Sequence, residues 1–110
     1  MSSLEIRNLG PVKSVDLAIN TVNVIIGPQS SGKSTIAKVI SFCQWLEKNA
    51  LFHQGTEHID LKFVEDMLFG FHKLTNYVGP DTCIRYTGRG ISFVYDRGEV
   101  KAETLEGFND

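Results

Sequence analysis

The chain has few cysteines, no long apolar run and no excess of charge of one sign. Its two cysteines, Cys43 and Cys83, form neither a metal-binding pattern nor a disulfide framework, so we expect reduced thiols in a cytoplasmic protein. No apolar run approaches the length of a membrane-spanning helix, so we expect no membrane partner. Eleven Lys and Arg residues against 13 Asp and Glu give a net charge of -2, and no global basic field points to nucleic acid.

The length is typical of a single domain. The 110 residues contain neither an internal repeat nor a low-complexity segment, and an apolar fraction of 42% is enough for one core. Three scattered histidines form no metal-ligand pattern. Composition therefore predicts one globular unit over 1–110 and leaves the function to be inferred from motifs.

One motif stands out. The residues from Gly27 to Ser34 match the pattern G-x-x-x-x-G-K-[ST] in full. An apolar, β-branched run at 22–26 precedes them and is typical of a buried strand, while an amphipathic pattern over 34–48 predicts a helix after them. Strand, glycine loop and helix is the context in which this motif binds phosphate, which argues against a chance glycine turn. The motif predicts a P-loop (Walker A) that binds a nucleoside triphosphate, which we expect to be ATP.

The residue types of the loop fit the chemistry of a triphosphate. Glycines let backbone N–H groups approach the phosphate oxygens, and the start of a helix adds unpaired N–H donors and a positive dipole end. We expect Lys33 to be the catalytic cation on the β- and γ-phosphates, Ser34 to ligate Mg²⁺, and Thr35 to contact the α-phosphate. The predicted nucleotide-binding residues are Gly27, Pro28, Gln29, Ser30, Ser31, Gly32, Lys33, Ser34 and Thr35.

Shorter patterns predict the remaining elements. Alternating runs at 4–9 and 15–19 predict an antiparallel hairpin. Asp60 is a predicted N-cap of a second helix over 60–78, and three short strands within 82–103 predict a β-meander. In the helix that follows the loop, Phe42 and Trp45 widen the apolar arc, which favours burial on more than one side over an interface.

The opening of the chain resembles the start of ABC-type ATPases of the SMC, RecF and OLD-nuclease group of AAA family ATPases. The residues that carry the resemblance are Leu4-Glu5-Ile6-Arg7-Asn8-Leu9, Val15-Asp16-Leu17 and the run from Val24 to Thr35, and it extends over about 3–48. Gln29-Ser30 stands where that group commonly has Asn-Gly. An LSGGQ-like signature and an Asp-Glu pair after an apolar run are both missing from the sequence.

The resemblance implies a fold and a function. The fold class would be α/β with mixed α and β elements: a P-loop NTPase, as the N-terminal portion of an ABC-ATPase-like head, with hairpin, Walker A strand and helix at 3–48, a helix at 60–78 and a β-meander at 82–103. The function would be Mg²⁺-dependent ATP hydrolysis in a larger, head-to-head homodimeric protein that works on DNA in repair or defence. The alternative is a stand-alone nucleotide switch without appreciable hydrolysis, and a small kinase is disfavoured by the preceding hairpin.

Two further sets of residues have open interpretations. Asp96 ends a mostly apolar run and is the candidate Walker B aspartate, although the Arg97-Gly98 pair that follows favours a hairpin turn. Arg7, Asn8 and Lys13 are candidates for contacts with adenine, and solvated residues at a strand edge are the alternative. Because the turn interpretation of Asp96 leaves no identified Walker B residue, we expect the isolated chain to bind ATP without turnover.

Overall fold

A computed structural model describes residues 2–19, 32–53 and 59–104, and the fold is given for these ranges. They contain five strands, one long helix and a short helical segment. The strands are β1 (Ser2–Leu9), β2 (Val12–Ile19), β3 (Val78–Thr87), β4 (Ile91–Asp96) and β5 (Glu99–Thr104). The helices are α1 (Lys33–His53) and α2 (Leu61–Val64), which continues as a π-helix (Glu65–Gly70) and is followed by a 3₁₀ turn (Thr75–Tyr77).

The five strands form one sheet in the order β2-β1-β3-β4-β5, and every described strand pair is antiparallel. The first two strands make a hairpin and the last three make a meander, as the alternating patterns predicted. Because β2 and β3 both run antiparallel to β1, they are parallel to each other. The segment that contains α1 therefore connects two parallel strands that have one strand between them.

One face of the sheet is apolar. The pairing register aligns the side chains of this face in two rows across all five strands, Leu17–Leu4–Tyr86–Phe93–Ala102 and Val15–Ile6–Ile84–Tyr95–Val100. In both rows, the side chains from β1, β3 and β4 are buried, and those from the edge strands β2 and β5 are half-buried. Alternate residues point to the other face, which is largely polar. The core therefore lies on one side of the sheet only.

The helix α1 covers the apolar face with a single stripe. Ile36, Val39, Ile40, Cys43 and Leu46 are buried, at the spacing of three and four residues that predicted them. Burial also raises the pKa of the Cys43 thiol far above its ordinary value. The helix begins at Lys33, one residue before the predicted start. None of the helices within the described ranges is long and apolar enough to cross a membrane.

The second predicted helix, over 60–78, is only partly correct. Asp60 is its N-cap, since its Oδ1 accepts a 2.9 Å hydrogen bond from the backbone N–H of Phe63. The α-helical pattern then changes to the wider π pattern, in which the N–H of Phe71 donates to the carbonyl of Asp66 over 3.0 Å. Lys73 has a φ of 60° and ends the helical segment. The Gly79-Pro80 pair, which directly follows the predicted helix and is a typical helix-ending signal, lies inside β3 instead.

The predicted fold class, an α/β P-loop NTPase in the form of an ABC-ATPase-like head, is wrong. The structure shows a small five-stranded antiparallel sheet with two helices, and its sheet is not the parallel sheet of that arrangement. The connections β1–β2, β3–β4 and β4–β5 are each two or three residues long, and strands joined so closely must pair antiparallel. The predicted Walker A strand at 22–26 lies outside the described residues.

Candidate functional site

The candidate site begins where α1 begins. Gly32 forms a turn just before the helix, and its carbonyl accepts the first helical hydrogen bond, from the N–H of Ile36 at 2.9 Å. Gly32 is therefore the N-cap, and Lys33, Ser34 and Thr35 are the first three helical residues. The N–H groups of such a first turn have no partner within their own helix. An anion is one of the partners that can accept hydrogen bonds from such groups.

The charges around this helix end also suit an anion. The first turn of α1 contains no acidic residue, so no carboxylate within it neutralises the positive end of the helix dipole. The side chains of Lys33 and Ser34 are exposed, whereas Thr35 is buried. A cation and a hydroxyl are therefore exposed to solvent beside N–H groups that have no partner inside the helix.

The structure describes four of the nine predicted nucleotide-binding residues, the run from Gly32 to Thr35, and it brings them together at one helix end. The other five, Gly27, Pro28, Gln29, Ser30 and Ser31, lie outside the described residues. Within the described residues, Lys33, Ser34 and Thr35 follow Gly32 directly and begin α1, and their predicted role in nucleotide binding stays a prediction.

A magnesium ion would need ligands from a nucleotide at this site. The exposed Ser34 hydroxyl offers one oxygen ligand of the kind Mg²⁺ prefers. Within 2–19, 32–53 and 59–104, no group of three or more His, Cys, Asp or Glu residues could hold a metal by itself. Phosphate oxygens and waters would have to complete the coordination, as is usual for Mg²⁺ with a nucleotide.

Asp96, the candidate Walker B residue, is directed away from α1. It ends β4 and precedes a two-residue turn in which Arg97 and Gly98 have φ values of 49° and 89°. Its neighbour Tyr95 lies on the apolar face that α1 covers, so the Asp96 side chain projects to the opposite face. There Asp96 pairs with the Arg97 guanidinium at 3.1 Å. The geometry favours the hairpin-turn interpretation.

The candidates for adenine contacts have partners within the fold. The Arg7 guanidinium donates to the Asp16 carboxylate at 2.8 Å and to the carbonyl of Val15 at 3.1 Å. Asn8 has a φ of 57° where the β1–β3 register shifts, and its side chain donates to the carbonyl of Asp81 at 3.2 Å. Lys13 is exposed on the edge strand β2. These contacts favour structural roles for Arg7 and Asn8.

The helix α1 is fixed to the sheet by a carboxylate that the sequence did not single out. Glu47 accepts a 3.1 Å hydrogen bond from the Tyr86 hydroxyl and a 2.9 Å hydrogen bond from the N–H of Gly90. Burial raises the pKa of Tyr86 to about 12, so the phenol remains a donor at neutral pH. A β-carbon at Gly88 would clash with the same carboxylate. These contacts hold α1 in a fixed position on the sheet.

An aromatic groove lies between α1 and the π-helix, and the sequence indicated only half of it. Its volume is about 290 Å³, and its lining residues are Ser41, Phe42, Trp45, Met67, Phe71 and His72. Phe42 is buried as expected and packs edge-on against Phe93, at 5.8 Å between ring centroids. Trp45 is 39% exposed, so the part of the apolar surface of α1 that this side chain forms is not fully covered by the rest of the fold.

Comparisons of the chain with protein-family models, curated proteins and solved structures found no match. The functional inference therefore depends on the residues of this chain and on their positions.

Proposed function

We propose that this chain binds ATP with Mg²⁺ through the loop from Gly27 to Ser34 and the first turn of α1. The observation that carries the proposal is the coincidence of motif and helix: the G-K-S of the motif occupies the N-cap and the first two positions of α1. A glycine loop that leads into a helix start directs backbone N–H groups at phosphate oxygens. The absence of acidic residues from that turn of α1 supports the same ligand.

Each side chain has a distinct role in the proposal. Lys33 contacts the β- and γ-phosphates as a mobile cation, and during hydrolysis it would stabilise charge on the transferring phosphoryl group. Ser34 ligates Mg²⁺ through its hydroxyl, and Thr35 offers its backbone N–H to the α-phosphate. When bound, Mg²⁺ would neutralise charge between the β- and γ-phosphates.

Two versions of this function differ in turnover. In the first, the site belongs to an ATPase whose water-orienting carboxylate is supplied from elsewhere, and which acts on DNA as a head-to-head homodimer. The resemblance of 3–48 is the support for that version. In the second, the chain is a nucleotide switch that hydrolyses little. The orientation of Asp96 favours binding without turnover by the described residues in both versions. A cytoplasmic location is part of the proposal, since Cys43 and Cys83 are both free thiols.

Calorimetric titration with ATP and Mg²⁺ tests the proposal. Lys33→Ala should weaken binding at least about tenfold, because hydrogen bonds to charged groups are worth about 1.5–3 kcal/mol. Lys48→Ala is the matched control, since Lys48 is an exposed lysine near the other end of the same helix. It should bind like the wild type. Equal affinities for the Lys33 variant and the control would refute the proposal.

A further inference from the structure

The aromatic groove is an open apolar site next to the proposed phosphate site. Three of its six lining residues are large apolar side chains that remain exposed: Trp45 at 39%, Met67 at 36% and Phe71 at 72%. Among the described residues that line it, none carries a carboxylate. Its volume of about 290 Å³ is close to the lower limit for small-molecule pockets. A small planar ring would fit such a groove better than a bulky ligand.

The aromatic side chains of the groove are held by neighbouring rings. Trp45 stacks on Phe63, with 5.9 Å between ring centroids and 12° between ring planes. Phe71 packs edge-on against His72 at 5.0 Å. The π-helix contributes Met67 and ends directly before Phe71, and π-helical turns occur frequently at functional sites. The groove is therefore built before a ligand enters it.

A stripe along α1 connects the groove to the proposed phosphate site. The stripe consists of four residues spaced four, three and four positions apart: Ser34, Lys38, Ser41 and Trp45. Residues at this spacing lie along one face of a helix. From Ser34, the proposed magnesium ligand, the distance along the helix is about 10 Å to Ser41 in the groove and about 16 Å to Trp45. A nucleotide extended along this stripe would have its phosphates at Ser34 and its base near Trp45.

The charges along the stripe agree with this orientation. Lys33 and Lys38 both lie toward the phosphate end. Lys38 is near enough to His72 to lower the pKa of that imidazole, and partial burial of His72 is the larger cause of the same shift. The lowered pKa of His72 disfavours the charged imidazolium and so disfavours a positive charge in the apolar groove. The cations lie where phosphates would pass, and the neutral rings lie where a base would stack.

We infer that the groove binds the base of the nucleotide, as a planar ring packed against Trp45 and Phe71 with the sugar beside Lys38 and Ser41. This inference deepens the proposed function and rests on it. If the inference holds, contacts between the base and the groove add to the affinity for ATP, beyond the affinity that the phosphates alone provide.

The fluorescence of Trp45 provides a direct test, because the chain contains one tryptophan. The probes are ATP and inorganic tripolyphosphate, which carries the phosphates without a base, each titrated with Mg²⁺ into the full chain. We expect ATP to change the Trp45 emission and tripolyphosphate to bind without changing it. Phe71→Ala should weaken ATP binding about tenfold, the order of one stacking contact, and leave tripolyphosphate binding unchanged.

Leu61→Ala is the matched control, because Leu61 is an exposed apolar residue that does not line the groove. It should bind both ligands like the wild type. Phe71 is largely exposed, so its variant should keep the wild-type melting temperature, which a thermal melt checks.

The outcomes separate this inference from the proposed function. If ATP and tripolyphosphate bind with equal affinity, the Trp45 emission is unchanged and Phe71→Ala has no effect, the groove inference is overturned and the proposed function stands. If neither ligand binds, both are overturned. A Trp45 emission that depends on protein concentration and not on ATP would also overturn the inference, since it would indicate self-association through the groove.

Discussion

The carboxylate of Glu47 in α1 and the hydroxyl of Tyr86 in β3 are joined by a 3.1 Å hydrogen bond. The same carboxylate accepts a 2.9 Å hydrogen bond from the backbone N–H of Gly90, in the turn between β3 and β4. One side chain of the helix thus binds two points of the sheet. The buried hydrophobic residues of α1 add apolar contacts, which do not fix the position of the helix along its axis as specifically.

The first prediction concerns the stability that this carboxylate provides. Glu47→Ala should lower the free energy of unfolding by about 1–3 kcal/mol, because it leaves the Tyr86 hydroxyl and the Gly90 N–H without their acceptor. Tyr86→Phe removes one of the two hydrogen bonds and should cost about 1 kcal/mol. Urea denaturation of both variants, with the exposed Lys48→Ala as control, measures these values. A Glu47→Ala variant as stable as the control would contradict the assigned role.

The second prediction concerns alkaline pH. Burial raises the pKa of Tyr86 to about 12 in the folded protein, above the ordinary value of 10.0 for tyrosine. Between these two values the unfolded chain loses the phenolic proton while the folded protein keeps it, so stability falls as the pH rises. Below pH 10 the contribution of Tyr86 is fully present. Denaturation curves from pH 9 to pH 12 should therefore show a steeper loss of stability for the wild type than for Tyr86→Phe, and parallel losses would contradict the prediction.

Patterns within one segment predicted the elements well. The hairpin at 4–9 and 15–19, the buried stripe of α1 and the N-cap at Asp60 depend on residues near one another in sequence, and all three are found. The order of the strands in the sheet is not predicted by such patterns, because β1 pairs with β3 although the whole of 10–77 lies between them in sequence. No pattern of neighbouring residues encodes that pairing. The predicted fold class came instead from the resemblance of 3–48 to ABC-type ATPases.

For the candidate site, the sequence predicted the helix start but not the groove, and the nucleotide-binding role stays a prediction. The motif marked Gly32 to Thr35, and the structure places them together at one helix start. The groove needs Trp45 from α1 and Phe71 from the π-helix, and the change from α to π pattern at Glu65 is not visible in residue spacing. The hydrogen bond between Glu47 and Tyr86 joins residues 39 positions apart. Contacts of this kind depend on how elements pack.

The third prediction concerns the metal. Ser34→Ala should reduce the dependence of ATP binding on Mg²⁺ while retaining most of the binding of ATP without metal. The hydroxyl would contact the ion, whereas the backbone N–H groups of the first turn of α1 would contact the phosphates. Titrations with and without Mg²⁺ measure both affinities, and Ser14→Ala is the matched control, since Ser14 is an exposed serine on β2 with no role in the proposed site. An unchanged Mg²⁺ dependence in the Ser34 variant would remove Ser34 as a metal ligand.

The fourth prediction concerns turnover. The 110-residue chain should bind ATP but release negligible phosphate, because hydrolysis needs a group that orients the attacking water. Asp96 is the carboxylate that ends an apolar strand, yet it lies on the face of the sheet opposite α1 and pairs with Arg97 at 3.1 Å. Asp96→Asn should therefore leave ATP affinity unchanged, since the residue does not reach Ser34 or a metal bound there. Phosphate-release assays on the wild type, Lys33→Ala and Asp96→Asn check this. Measurable turnover that both substitutions abolish would show that Asp96 completes the site, and would require a conformation in which the end of β4 faces the start of α1.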